Sequence, residues 1–353
     1  LPGRGTRVNP PNRFDPIALT PDLDYAEFDD HGVPIERPAP RTQFFDDASE
    51  SVLTPNDSPD VRAAWGLNPY RGCEHGCAYC FARPYHEYLG FSSGLDFETK
   101  IMVKRRAPEL LRRELAARRW QPDAVMMCGA TDPYQPAERH FRLTRACLEV
   151  FAEFRNPVAV ITKNFLITRD ADVLAELARW QCVSVTISVT TLDAALAGRL
   201  EPRAARPEHR LRAIRLLAAA GVPVTVNVAP IIPGLTDHEL PGILEAARDA
   251  GATRANYIVL RLPHAVKDLF IDWLDAHEPG KKARVLDRVR DLRGGRLYDA
   301  DFATRGRGQG PFAEQLRQLF AVSTRRLGLA TGSTPLSTAH FRRRAADGQL
   351  DLL

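Results

Sequence analysis

The sequence predicts an α/β fold: a partial (β/α)6 TIM-like barrel with an N-terminal extended arm and a mainly helical C-terminal extension. Three observations predict it. From about residue 98, short β-branched runs alternate with amphipathic helical stretches, the order that gives parallel strands covered by helices. The runs are continuously apolar rather than alternating, as in strands covered on both faces. With an earlier strand near Ala64–Leu67 the βα units come to six, which suits an open barrel better than a closed eight-unit one.

Residues 1–60 are rich in Pro, Asp, Asn and Arg and hold no long periodic segment, so they read as an extended arm with a disordered start. The barrel is expected over residues 61–275. Ala124–Cys128 reads as a buried strand, and Phe141–Phe154 as a helix with Leu143, Ala146, Cys147, Val150 and Phe151 on one face. Val158–Thr162 is the next strand, Ala171–Trp180 the next helix, and Val183–Val189 a third strand. The helix Arg210–Ala220 stops at Gly221, and Leu240–Ala250 stops at Gly251, both C-cap signals. Val222–Ile232 and Tyr257–Leu260 complete the strands. Residues 276–353 form the extension, with a helix over Pro311–Leu327.

The 353 residues carry a net charge of +4. Residues 281–353 hold 15 Lys+Arg against 7 Asp+Glu, so this tail is strongly basic and the rest slightly acidic. Its clusters, Lys281-Lys282-Arg284, Arg288 with Arg290, Arg305 with Arg307, Arg325-Arg326 and Arg342-Arg343-Arg344, can form a footprint for phosphates or a solvated helical face. The composition, 44% hydrophobic and 26% charged, excludes a wholly disordered chain, a collagen-like repeat and a coiled coil. No uncharged apolar run reaches the ~18 residues a membrane helix needs, and no apolar signal core is visible. A cytoplasmic protein is expected. Its six cysteines are too few for a disulfide scaffold and read as thiols, metal ligands or catalytic groups.

The sharpest feature is Cys73-Glu-His-Gly-Cys77-Ala-Tyr-Cys80, three thiols within eight residues. Thiolates bind soft metals and iron–sulfur clusters. Three local ligands to a [4Fe–4S] cluster leave one iron free for a substrate or cofactor. A zinc site completed by His75 or a distant His is the alternative, but there is no second Cys-x-x-Cys knuckle, and Cys128, Cys147 and Cys182 stand singly. Cys147 and Cys182 read as core, Glu74 and His75 as exposed loop residues, and Tyr134 and Tyr257 as packing or mouth-lining groups.

The spacing C-x-x-x-C-x-x-C, with an aromatic residue before the last Cys, resembles the signature of the radical S-adenosylmethionine superfamily. That resemblance implies a [4Fe–4S] cluster on Cys73, Cys77 and Cys80, and S-adenosyl-L-methionine bound at the fourth iron. It also implies reductive cleavage to a 5′-deoxyadenosyl radical and an electron donor such as flavodoxin or ferredoxin. Within the superfamily, residues 64–265 look most like spore photoproduct lyase and its relatives. Met127-Cys128-Gly-Ala-Thr131-Asp132, Ile161-Thr-Lys163-Asn, Ile187-Ser188, Leu200-Glu201-Pro202 and Val228-Ala-Pro-Ile231 match short family segments in order.

By that likeness Cys128 is the hydrogen-atom donor to the product radical and Tyr79 takes part in hydrogen transfer. Cofactor contacts are expected from Thr131, Asp132, Lys163, Ser188, Glu201 and Arg203; Thr186 or Thr190 could replace Ser188, because hydroxyls alternate along that strand. The family's second Tyr is Phe81 here, and a phenyl ring cannot relay hydrogen as a phenol can. The expected function is a radical lyase repairing a pyrimidine lesion in DNA, with the basic tail on the flanking phosphates. The alternatives are a radical enzyme acting on RNA or a small metabolite, and a non-enzymatic iron–sulfur or zinc protein that binds nucleic acid.

Overall fold

Val or Ile alternating with Ser, Thr or Asn makes the long central strands, as in Val183–Val189 and residues 224–228, which corrects the continuously apolar runs expected there, and short pieces make the edges. The strands are β1 (Gln43–Asp46), β2 (Leu53–Pro55), β3 (Trp65–Leu67), β4 (Tyr70–Arg71), β5 (Lys100–Val103), β6 (Val125–Met127), β7 (Val158–Thr162), β8 (Val183–Val189), β9 (Val224–Ile231), β10 (Arg254–Val259) and β11 (Ala330–Thr331). The computed structural model describes residues 3–15, 40–60 and 63–343. Residues 16–39 of the arm and 344–353 of the extension, Arg344 included, lie outside the described residues.

The main sheet runs β11-β10-β9-β8-β7-β6-β3-β2. Six of its strands, β3 and β6 to β10, are parallel neighbours in chain order, as consecutive right-handed βαβ units require. Antiparallel β2 and two-residue β11 end the sheet and do not pair with each other. The barrel is therefore split, as the six-unit count predicts. A small sheet, β1-β5-β4, stands beside it.

The helices follow the predicted faces with shifted ends. Phe141–Phe154 is broken at Arg142, which takes a left-handed φ of 53°, giving the helices Glu138–Phe141 and Leu143–Phe154. The helix expected from Arg210 starts at Pro207, where proline is pre-set for the first turn. One apolar core joins the strands to the outer helices. A second caps the C-terminal strand ends and unites Cys77, Ala78 and Tyr79 with Leu200, Ile232, Leu260, Phe270 and Trp273.

Residues 3–15 correct the expectation of a disordered start: they lie as a strap across the cysteine loop, with Arg7 on Asp272 at 2.6 Å, Asn9 on Asp96 at 3.0 Å and Asn12 on the Glu87 carbonyl at 2.8 Å. The basic extension is divided between two places. Val285, Leu286 and Val289 of the helix Lys282–Asp291 join the second core, beyond the ends of β9 and β10. The helix Gly310–Leu327 packs outside β10, with Phe320 on Tyr257 at 4.8 Å. β11 then pairs with Arg254 and Ala255, the start of β10, so Arg325 and Arg326 lie at the N-terminal end of the barrel. Arg290 pairs with Asp287, Arg305 with Asp60, and Arg343 donates to the Leu115, Ala116 and Ala117 carbonyls. The tail is thus not one phosphate footprint. No helix among the described residues is long and apolar enough to cross a membrane.

Candidate functional site

The cysteine loop leaves β4 and is braced from below. Cys73 donates its N–H to the Phe97 carbonyl at 2.8 Å and Ala78 to the Leu200 carbonyl at 3.0 Å. Arg83, wholly buried, donates to the Cys77 carbonyl at 2.9 and 3.0 Å, to the Gly94 carbonyl at 2.9 Å and to Glu98 at 2.6 Å. Glu98 also accepts from the Gly5 N–H at 3.0 Å and the Thr6 hydroxyl at 3.2 Å, which ties the strap to the same carboxylate. Glycine is required at both crossing points. Gly76 has φ +68°, and a Cβ on Gly5 would stand 1.5 Å from the Gly76 carbonyl oxygen.

Cys73 and Cys77 are buried and Cys80 is half-buried. Burial raises all three thiols, and Cys73 is raised further by Asp132 and then by Cys77 and Cys80. They therefore share one electrostatic neighbourhood, with no protein cation sufficient to ionise them. Among the described residues no three His, Cys, Asp or Glu side chains converge on a single metal ion. Three thiols on one loop are the donor type that iron–sulfur clusters take, each thiolate on a separate iron. His75, read as exposed, is buried, with Nε2 2.9 Å from the Asn164 amide and Nδ1 3.4 Å from Asp132. Glu74 is buried as well.

The inner face of the barrel follows from strand alternation. Val183, Val185, Ile187 and Val189 join the helix-facing core, so Thr186, Ser188 and Thr190 all point inward together. Cys128, just past β6, faces in by the same alternation and lies 3.5 Å from the Thr131 carbonyl. Burial, then Asp132, push its thiol up to about 12. Asp132 accepts from the Thr162 hydroxyl at 2.7 Å and the Lys163 N–H at 2.9 Å. Burial pushes that carboxyl up, but His75 and these hydrogen bonds outweigh it and hold it below its ordinary value. Thr131 donates to the Gly72 carbonyl at 2.6 Å, so its hydroxyl braces the cysteine loop.

A second group centres on Glu201. It accepts from the Tyr79 hydroxyl, from the Thr190 hydroxyl at 2.8 Å and from Arg210, with Lys163 Nζ 3.9 Å away. Burial opposes its charge, but Arg210 and then Lys163 hold it at about 2. Burial, then Glu201, raise the Tyr79 phenol. Lys163 also donates to the Ala229 carbonyl at 3.1 Å. Arg203 is turned away from this face, onto Glu74 at 2.9 Å and Thr42 at 3.3 Å. Cys147 and Cys182 are core, Tyr134 is buried on Asp170, and Tyr257 packs outward. Phe81 is 42% exposed beneath the Arg261 guanidinium.

Sequence reasoning missed Asn227, in register with Ser188 across β8 and β9. Its Oδ1 is buried with no hydrogen-bond partner, a state costing about 1–3 kcal/mol that a bound donor would relieve. The signal was present: Asn227 alternates with Val226 and Val228 inside an apolar strand. A cofactor lying on this inner face would meet Ser188, Asn227, Lys163 and Asp132.

A family model described as the radical SAM superfamily matches residues 67–247. An uncharacterised protein of Mycobacterium tuberculosis is 37% identical over 228 residues, 64% of this chain and 66% of its own length. One from Methanocaldococcus jannaschii is 27% identical over 191 residues, 54% of this chain and 68% of the relative. The matched part of the chain spans just under two thirds of the mycobacterial relatives. Among solved structures, a spore photoproduct lyase complexed with dinucleoside spore photoproduct aligns with TM-score 0.54 at 14% identity, over 82% of this chain and 80% of that one. A variant of that lyase with bound AdoMet and the same dinucleoside aligns equally well, with TM-score 0.54 at 14% identity and the same coverage, 82% and 80%. At such identity the likeness is one of fold.

Proposed function

The chain belongs to the radical SAM superfamily, and from that premise we propose that it is a radical lyase of the spore photoproduct type, acting on a pyrimidine lesion in DNA with Cys128 as hydrogen-atom donor. Cys73, Cys77 and Cys80 would hold a [4Fe–4S] cluster, and Asp132, Lys163, Ser188, Glu201 and Asn227 the S-adenosylmethionine. Bound together, these groups supply hydrogen abstraction from an unactivated carbon.

The protein's part is placement and exclusion of water. Arg83, Glu98 and the strap fix the loop that presents the thiols. Lys163 answers the negative charge of Glu201, and Arg210 keeps that carboxylate ionised. The observation that carries the reading is Cys128. It lies at a strand end on the inward face, and its raised pKa of about 12 keeps the S–H intact at neutral pH. A thiol with its hydrogen can quench a carbon radical; a thiolate cannot. Phe81 removes one phenol from the family's relay, leaving Tyr79, hydrogen-bonded to Glu201, as the remaining phenol of that loop.

The test uses anaerobically reconstituted protein, a reductant and an irradiated oligonucleotide. Cleavage to 5′-deoxyadenosine with restored thymines is expected. Cys128→Ala should keep nucleoside formation within about threefold while repair falls at least a hundredfold and aberrant adducts accumulate. Equal repair by the variant would remove Cys128 from the mechanism.

A second reading, a radical enzyme acting on RNA or a small metabolite, has one observation in its favour. The apolar core of Leu200, Ile232, Leu260, Phe270 and Trp273 packs against the cysteine loop beyond the ends of β9 and β10, apolar bulk that would help to enclose a small substrate. Nucleoside formation that responds to no irradiated DNA would favour this reading over the first.

A further inference from the structure

The cysteine loop has an outer face as well as an inner one, and the outer face is cationic. Glu74 and Arg203 stand there in a cleft of about 500 Å³, with Arg4, Arg41, Thr42, Phe44 and His140 around them. Two carboxylates lie within or beneath it, and both are already answered: Glu74 by Arg203 at 2.9 Å and the Thr42 hydroxyl at 2.8 Å, Glu98 by buried Arg83 at 2.6 Å. Arg4 donates only to neutral acceptors, the Glu98 and Pro40 carbonyls at 3.0 and 2.6 Å and the Thr42 hydroxyl at 3.3 Å. Arg41 is exposed and has no carboxylate partner among the described residues. Burial, then Arg203, pull the Arg4 guanidinium below its ordinary value, against Glu98 and Glu74. Among the described residues the cleft thus keeps a surplus of positive charge, with exposed Phe44 as an apolar rim. The cysteine loop reaches the cleft through Glu74, and the Arg203 N–H donates to the His75 carbonyl at 3.2 Å, two residues from Cys73 and two from Cys77.

We propose that this cleft is the docking surface for a small acidic one-electron carrier protein. The inference rests on the radical reading, in which a cluster on Cys73, Cys77 and Cys80 must be reduced from outside while the inner face holds cofactor and substrate. Docking on the outer face brings the donor close to the thiol loop without entering the barrel. One electron leaves the carrier and one enters the cluster; no bond forms or breaks. Such encounters are small, under about 1,200 Å², and owe their rate to opposite charge rather than to buried area.

The experiment uses the full chain, anaerobically reconstituted, with reduced flavodoxin as the acidic probe and dithionite as the small one. Stopped-flow bleaching of the cluster gives the reduction rate, and titration with oxidised flavodoxin gives a Kd without turnover. Arg41→Glu should slow reduction by flavodoxin on the order of tenfold at low salt and weaken its binding similarly. Arg41→Lys should stay near wild type, and salt should erase the difference. Iron content and dithionite reduction should not change. Unchanged flavodoxin kinetics in Arg41→Glu would overturn the proposal, as would a loss of oligonucleotide affinity in their place, which would make the cleft a phosphate site. Failure of the radical reading looks different: no nucleoside would form with dithionite in the wild-type protein.

Discussion

Three donors converge on the carboxylate of Glu201: the Tyr79 and Thr190 hydroxyls and the Arg210 guanidinium. Glu201 and Arg210 are both buried, so each needs the other: removing one partner of such a pair costs about 3–5 kcal/mol. Arg210→Met should lower unfolding stability by that amount in urea, and adding Glu201→Leu should recover much of it. A loss below about 1 kcal/mol in the single variant would show that the pair carries no such weight. The pH dependence has a definite sign. The folded pKa of Glu201, about 2, lies below its ordinary value of 4.5, so its contribution of roughly 3 kcal/mol is complete above pH 4.5. It fades as pH falls toward 2. The double variant has lost this titration, so urea unfolding should show it losing less stability than wild type between pH 4.5 and 2. The sequence singled out Glu201 as a candidate cofactor contact, within Leu200-Glu201-Pro202. It could not identify Arg210 as the partner, because which charge of the following helix folds beneath the strand end is set by packing, not by spacing. Asn227 escaped for a related reason: one amide in an apolar strand reads as tolerated until its oxygen is found buried without a donor.

At the scale of elements, the barrel strands and outer helices were legible because burial imposes a period on them. Val183–Val189 has the same limits in sequence and structure. The pieces not legible are β1, β2, β4, β5 and β11, two to four residues each; so short a strand carries no period to read. The strap was misjudged for another reason. Apart from Phe14 on Tyr88, its contacts are polar and made by backbone, the Thr6 hydroxyl or Arg and Asn tips, so no apolar pattern marks it. Its fit to the cysteine loop is nevertheless tight at Gly5, where any Cβ meets the Gly76 carbonyl at 1.5 Å. A backbone carbonyl cannot swing aside as a side chain can. Gly5→Val should therefore unseat the strap while leaving the barrel folded. The expected outcome is faster protease cleavage within residues 3–15, at least fivefold less iron retained after desalting, and a melting temperature within a few degrees of wild type. Full iron retention with a lifted strap would show that Arg83 and Glu98 hold the loop unaided.

Across the whole molecule, charge and function divide differently from what the composition suggests. The tail carries more than the chain's whole surplus of cations, 15 Lys+Arg against 7 Asp+Glu where the full chain is +4. The fold sends its first helix to the core beyond the ends of β9 and β10 and its second to the far side, ending at β11 beside the start of β10. A sequence gives the count of these charges but not the end of the barrel they reach, since that depends on how the extension wraps. Arg325 and Arg326 thus stand a barrel's height from Cys128. Fields from exposed charges fade within about 10 Å at 0.1 M salt, so this pair should contribute nothing to a nucleic acid engaged at the mouth. Arg325→Glu with Arg326→Glu is expected to change the Kd for an irradiated oligonucleotide by less than twofold at 0.15 M salt. The slope of log K against log salt should match wild type. Every phosphate that the protein ceases to neutralise lowers the steepness of that slope by roughly 0.7–0.9. A fall of about 1.5 or more would therefore place both arginines on the DNA and require the substrate to wrap from the mouth to the opposite end of the barrel.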